Sequence, residues 1–408
     1  MVDKLTATIT QRVMPLTKRG SARLRKYRQQ YGGMLLLPSP KRAYAPSASL
    51  EDLLAGLVSM PTTEFDSASM HAAVTQVEYF LRDMGMYTEQ LENGGLPILW
   101  ATTHPNQKHV HTLLAAHIDV VNGPPEAFRL RKDGNRYYGR GVMDMKSSIA
   151  AYMHTVRALR GHLPDYDFGL LITCDEEVAG KHGTNGMEYI LDQGYSADFV
   201  ILPDGTENWP LESAAKGYVH FTLTATGTTG HGSRPWQASN ALHDLMDALL
   251  EIRQTFTEPE PDGTTYNIGM IHGGDAPNRV PGIATADLEI RPTDMKARTH
   301  YTQVLAKICS RHGVTVVERT HIDPLVHDMN HPCMVAFRDC MRTVLGKDPG
   351  ATRSFAGSDA RYLLQRGIAT AVFYPAGGNH HADDEWLDVA ALPQLAEIIE
   401  RYIRSTQQ

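Results

Sequence analysis

The chain has 408 residues, 42% of them hydrophobic and 21% charged, with a formal net charge of −7. That length supports two or three domains at the usual ~100–200 residues each, and the lack of an apolar run of roughly 18–20 residues excludes a membrane-spanning helix. The four cysteines, Cys174, Cys309, Cys333 and Cys340, show neither CxxC spacing nor the density of a disulfide framework, so they read as small buried residues in a reducing, cytoplasmic compartment.

The first stretch of the chain stands apart by charge. Residues 1–48 carry ten Lys and Arg against one acid, Asp3, which leaves the remainder at about −16. Three readings fit such an arm: an organelle-targeting peptide, a contact with nucleic acid or another anionic surface, or an extension packed on the chain's own acidic body. Packing is preferred, with organelle targeting the alternative to a cytoplasmic location. Nucleic acid is disfavoured because the body itself is acidic.

From Ser49 onward, regular elements follow. Apolar residues at helical spacing after a capping serine predict a helix that begins near Ser49 and ends by Pro61. Residues 68–84 predict a second helix, and 87–91, 98–102 and 111–116 predict strands. Helices at 145–159 and 183–193 then alternate with strands at 168–173 and 199–202, the signature of an α/β layer with a largely parallel sheet. From about residue 213 the order changes to strand 218–226, helix 238–253, strands 266–271 and 283–290, helix 296–311 and strand 314–318. That βαββαβ order is a ferredoxin-like sandwich able to stand alone. After residue 322 the α/β pattern resumes and closes with a helix at 392–404. The expected division is a basic extension (1–48), a discontinuous α/β domain (49–212 and 323–408) and an inserted α+β domain (213–322).

Chemistry-bearing side chains gather at the ends of these elements. "LLAAHIDVV" puts His117 and Asp119 two residues apart at a strand end, where period-2 geometry places them on one face. "YYGRGVMDMKSSIAA" sets Asp144 after a glycine-rich turn at the mouth of a helix. "LLITCDEEVAG" ends a core strand in Asp175, Glu176 and Glu177, "FVILPDGT" ends another at Asp204, and "GGNHHADDEW" carries His380 and His381 on a loose loop. Each alone also fits a cap, a turn or a satisfied core histidine. Together they form the ligand set of a Zn²⁺ or Mn²⁺ hydrolytic site, and a cation would neutralise the acids after "LLITC".

With "GHGSRP" added, these motifs resemble the M20 family of zinc-dependent peptidases and deacylases, in order and with compatible spacing from about Leu50 to the C-terminus. The resemblance implies a catalytic α/β domain carrying an inserted lid that forms homodimers. It also implies two zinc ions, with Mn²⁺ or Co²⁺ as substitutes. By motif, His117 would bind one metal, Asp144 would bridge both, Glu177 and Asp204 would each bind one, and His381 would complete the second. Asp119 would orient His117, Glu176 would be the general base of a metal-activated water, and His231 would donate to the oxyanion, commonly in the partner subunit's site. Asn278, Arg291, Gly357, Ser358 and Arg361 would hold the substrate, with a helix start as the other reading of Ser358.

Departures from the family pattern refine the expectation. Position 147 is Ser where the family usually has glycine, and position 204 is Asp, as in the dipeptidase and aminopeptidase branches. His381 is preferred to His380 because Glu385 follows it by four residues, whereas an interval of five would select His380. The basic arm has no counterpart. The expected activity is hydrolysis of a dipeptide or a C-terminal peptide bond, with N-acyl-amino-acid deacylation as the alternative. A catalytically dead relative would lack a ligand or the base, and none is missing here.

Overall fold

The computed structural model describes residues 44–45, 47–178, 184–256, 263–354 and 357–406. The chain divides into two units, Met1–Lys41 and Arg42–Gln408, and the described residues all belong to the second. The basic arm at 1–48 therefore lies almost wholly outside the described residues.

The second unit opens with helix α1 (Leu50–Val58), where Ser49 and Asp52 form a reciprocal cap: the Ser49 hydroxyl accepts from Asp52 N and the Asp52 carboxylate from Ser49 N. This satisfies two of the N–H groups that a helix start leaves open. Helix α2 (Ser67–Met84) ends at Gly85, whose φ of 106° is the left-handed conformation glycine adopts at least cost. There follow β1 (Tyr87–Asn93), β2 (Leu96–Thr102), β3 (His109–His117), α3 (Lys146–Ala158), β4 (Phe168–Thr173), α4 (Gly186–Asp192), β5 (Ser196–Leu202) and β6 (Leu211–Ala215). The middle of the chain forms β7 (Tyr218–Thr226), α5 (Ala241–Thr255), β8 (Thr265–Gly273), β9 (Ile283–Arg291), α6 (Met295–Arg311) and β10 (Val314–Ile322). The last part adds β11 (Leu325–Val326), α7 (Pro332–Leu345), β12 (Ala351–Ser354), α8 (Ala360–Gln365), β13 (Ala369–Val372) and α9 (Ala391–Ser405).

The result is a mixed α/β fold with two main sheets. The first has the order β1-β2-β4-β3-β5-β13. Strands β4, β3, β5 and β13 run parallel, and β1 and β2 add an antiparallel edge. Every residue of β2 and β4 is buried, as expected of strands covered on both faces. The Tyr152 hydroxyl of α3 donates to Ala115 O and Ile201 O, both at 3.0 Å, which ties the helix to β3 and β5.

The second sheet, β8-β9-β7-β10, is antiparallel throughout. Burial alternates along β7 and β9, so one face packs inward. That face meets α5 and α6 in a core of its own that includes Phe221, Leu223, Leu245, Ile252, Leu288 and Leu305. The chain leaves the first sheet's layer through β6 and returns through β11, and these two short strands pair antiparallel.

Several boundaries differ from the sequence reading for local reasons. Helix α4 starts at Gly186, not 183, because the Asn185 side chain caps it by accepting from Met187 N and Glu188 N; residues 179–183 lie outside the described residues. Helix α5 starts at Ala241 behind an Asn240 cap, and Pro235–Gln237 forms a separate 3-10 turn. Strand β10 continues to Ile322 past a bulge between Glu318 and Thr320 that breaks the alternation. Among the described residues no helix is long and apolar enough to cross a membrane, and all four cysteines are free.

Candidate active site

Because β3, β4 and β5 are parallel, their C-terminal ends share one edge of the sheet, where α/β folds bind ligands. His117 closes β3, the acids of residues 175–177 follow β4, and Asp204 follows β5. The turn before α3 brings Asp144 to the same edge, and the loop before the short strand Trp386–Asp388 brings His381.

These side chains converge on Asp144. His117 Nε2 lies 3.0 Å from Asp144 Oδ1, and His381 Nε2 lies 3.2 Å from Asp144 Oδ2 and 3.0 Å from Glu177 Oε2. Two groups of potential ligand atoms result, His117–Asp144–Asp204 and Asp144–Glu177–His381, each with all atoms within 4.8 Å of one another. Asp144 is common to both. The first group is buried, whereas the His381 side chain is 48% exposed and opens the second to solvent.

The donor chemistry fits cations. The Tyr374 hydroxyl donates to Asp204 Oδ1 at 2.7 Å, and Oδ2 is buried with no hydrogen-bond partner among the described residues. Burial and the nearby Asp144 push the Asp204 carboxyl up to about 7. Burial, then Asp204, likewise holds Glu176 well above the usual carboxylate range. Hydrogen bonds to Asp144 and Glu177 raise His381 to about 10. Burial disfavours a charged His117, yet its bonds to Asp119 and Asp144 outweigh that and raise it well above its usual value. Burial also opposes ionisation of Asp144, but bonds from both histidines win and hold its carboxyl low. Surplus negative charge at this edge is thus balanced by protons on imidazoles, the positions at which divalent ions would compete.

The remaining candidates are distributed as follows. His117 Nδ1 lies 3.0 Å from the Asp119 backbone oxygen and 3.4 Å from Asp119 Oδ1, while Asp119 Oδ2 accepts from Glu177 N at 3.0 Å. Asp119 sits beyond the end of β3, so strand alternation does not set its direction as the sequence reading assumed. Asp175 turns away: both its oxygens accept from Gly186 N, at 3.0 and 2.8 Å, at the start of α4. Burial and the nearby Asp119 outweigh that bond and raise the Asp175 carboxyl to about 6, so the helix start offsets its charge only in part.

His380 points to Glu207, with Nδ1 3.1 Å from Oε1, and takes no part in the two ligand groups. His231 lies exposed on the second sheet's side of the molecule, its Nδ1 2.9 Å from Ser233 Oγ. Asn278 is exposed nearby, its backbone oxygen accepting from Gly232 N. The Arg291 guanidinium stacks 4.9 Å over the Tyr218 ring. Gly357 is exposed, Ser358 Oγ accepts from Ala360 N at 3.3 Å, and Arg361 packs 4.7 Å over the Tyr362 ring. Ser358 Oγ thus has a partner at the start of α8.

Three residues of the site, Tyr374, Asp359 and Arg140, were given no part in the sequence reading, and Glu385 entered it only as an interval after His381. Tyr374 holds Asp204, and its signal was a polar tip at the end of the apolar run before "GGNHH". Asp359 is buried and bonded to Asn185 Nδ2 at 3.0 Å, and burial together with Asp204 raises it to about 7. Arg140 and Glu385, each 2% exposed, form a buried ion pair at 3.1 Å beside Asp144. Such long-range pairs leave no periodic trace.

Parallel strands thus feed carboxylates and imidazoles to one sheet edge, with one acid shared by two groups that could hold a metal ion. The chain belongs to Peptidase family M20/M25/M40, whose description matches residues 113–405. It is 28% identical over 356 residues to a succinyl-diaminopimelate desuccinylase from Azoarcus sp. (strain BH72), covering 80% of this chain and 90% of the relative. A desuccinylase from Gluconobacter oxydans (strain 621H) is also 28% identical, over 339 residues, covering 78% and 88%. Among solved structures, a tripeptidase from Staphylococcus aureus superposes with a TM-score of 0.71 at 20% identity, over 90% of this chain and 99% of that one. Aminopeptidase PepT from Bacillus cereus gives 0.72 at 17% identity, over 91% and 100%. The structural likenesses establish a shared fold.

Proposed function

We propose that this chain is a dinuclear metallohydrolase that cleaves an amide bond of a small peptide, of the dipeptidase or carboxypeptidase type. One observation carries the reading: Asp144 is common to two carboxylate–imidazole groups. His117, Asp144 and Asp204 hold one ion, and Asp144, Glu177 and His381 hold the other, zinc first with Mn²⁺ or Co²⁺ as substitutes. Such ions, when bound, polarise the scissile carbonyl and acidify the attacking water. Glu176 takes the water's proton and passes it to the leaving nitrogen. Asp119 keeps the His117 ring in place.

Residues 213–322 are proposed to act as a ferredoxin-like lid, set apart by its own core, through which two chains form a homodimer. In that arrangement His231 donates to the oxyanion of the partner subunit's site. Arg291 or Arg361, with Asn278, Gly357 and Ser358, receives the substrate's carboxylate and carbonyl; a guanidinium suits a carboxylate because it can bind both oxygens. A cytoplasmic location fits the four free cysteines.

Asp at position 204 supports the peptidase reading. A second reading, N-acyl-amino-acid deacylation, is favoured by the 28% identity to desuccinylases. A mass-spectrometric screen of dipeptides, acetyl amino acids and succinyl amino acids separates the two. Dipeptide turnover supports the first reading, and turnover confined to acyl amino acids replaces it with the second.

A further inference from the structure

Asp144, the residue common to both ligand groups, lies in neither a helix nor a strand. It sits in the turn at residues 139–145, between the short strand Arg136–Tyr138 and α3. Three backbone N–H groups of that turn converge on one carboxylate, that of Glu385. Gly141 N donates to Oε2 at 3.0 Å, Met143 N to Oε1 at 2.9 Å and Asp144 N to Oε1 at 3.2 Å. Arg140 Nη1 adds a fourth donor, 3.1 Å from Oε2. A carboxylate that is 2% exposed and receives four donors is held in a fixed orientation.

Glu385 lies four residues after His381, the imidazole on the other side of Asp144. The strands behind them are paired, Trp386 with Tyr138 and Leu387 with Tyr137, so the His381 loop and the Asp144 turn spring from one hairpin-like ladder. Arg140 closes the assembly by donating to Ala382 O at 2.9 Å and to Asn122 O at 3.3 Å. One buried carboxylate thus fixes the backbone of the acid that both groups share, from the loop that supplies the second imidazole.

We infer that Glu385 is a positioning residue that sets the distance and angle between Asp144 and His381, and through them the coordination geometry of the two-ion centre. The inference rests on the proposed dinuclear reading and adds the residue that tunes it. Removing the carboxylate's charge leaves the turn's N–H groups facing an amide that meets fewer of them, so Asp144 loses its fixed bearing on both ions. Supporting groups of this kind typically change metal affinity or activity by about 10–100-fold.

The test is a Co²⁺ titration of the full chain and of Glu385→Gln, followed by visible absorption, with thermal unfolding of each metal-free protein and kcat and KM at saturating metal. The expected result is an altered cobalt spectrum, affinity for at least one ion lowered by about tenfold or more, and a fall in kcat with KM nearly unchanged. Two ions bound by Glu385→Gln with the parent spectrum and parent affinities would overturn the inference, even if its unfolding temperature fell, because that pattern marks a purely structural role. Should Glu385→Gln not fold, Glu385→Asp carries the same test: it keeps the charge opposite Arg140 and shortens the reach, and an unchanged spectrum would again overturn the inference. A parent chain that takes up no Co²⁺ would instead refute the dinuclear reading itself.

Discussion

At the scale of single residues, neighbours in sequence play different parts because their surroundings differ. Glu176 and Glu177 are adjacent, yet Glu177 contacts His381 while Glu176 is held high by burial and by Asp204. Glu176→Gln is therefore expected to retain metal and lose about 10²–10⁴-fold in kcat, checked by metal analysis alongside steady-state kinetics. Retention of both metal and full activity would remove Glu176 from its role. The two imidazoles give a pH dependence with a definite sign. Both have raised pKa values, His381 to about 10, so at pH 7 the metal-free site carries protons that metal must displace. Metal affinity should rise with pH, and calorimetry in buffers of differing ionisation enthalpy should show proton release on binding. Binding heats that do not depend on buffer would contradict this.

At the scale of elements, the strand ends were legible and the turns between them were not. The apolar runs that predict β3, β4 and β5 also say where each ends, and parallel order then brings those ends together. Asp175 shows the limit. Nothing in "CDEEVAG" says that its first acid faces the start of α4, because that depends on where Gly186 lies after folding. A Cβ on Gly186 would come within 2.7 Å of Asp175 Oδ1, so a larger residue there would have to push that carboxylate aside. Asp175→Ala should leave the Gly186 N–H without its partner and cost about 1–3 kcal/mol, seen as a lower unfolding temperature, while metal content stays at the parent value. Loss of metal in that variant would add Asp175 to the ligand set. In the sheet itself, Leu171 on β4 is fully buried, and Leu171→Ala should cost about 2–5 kcal/mol in denaturant unfolding.

At the scale of the whole molecule, the change in element order near residue 213 was visible in sequence, and the strands on either side differ because one sheet is covered on both faces and the other on one. That difference alone turns continuous apolar strands into alternating ones. What sequence could not show is how far-apart chain segments are clamped. The Arg140–Glu385 pair and the Tyr374–Asp204 bond span 245 and 170 residues, and such contacts follow from topology rather than from spacing. The same topology gathers negative charge at one edge, so bound cations should stabilise the folded chain. At about 100 times its dissociation constant, an ion that binds only the folded state adds about 2.7 kcal/mol, and chelation should lower the unfolding temperature accordingly.

The most direct measurement is the divalent-metal content of the purified, zinc-equilibrated full chain, taken alongside Asp144→Ala. Two ions per chain in the parent, and loss of both sites when the shared carboxylate is removed, is the expected result. A parent that binds none, or an Asp144→Ala chain that still binds two, would contradict a centre built around that residue.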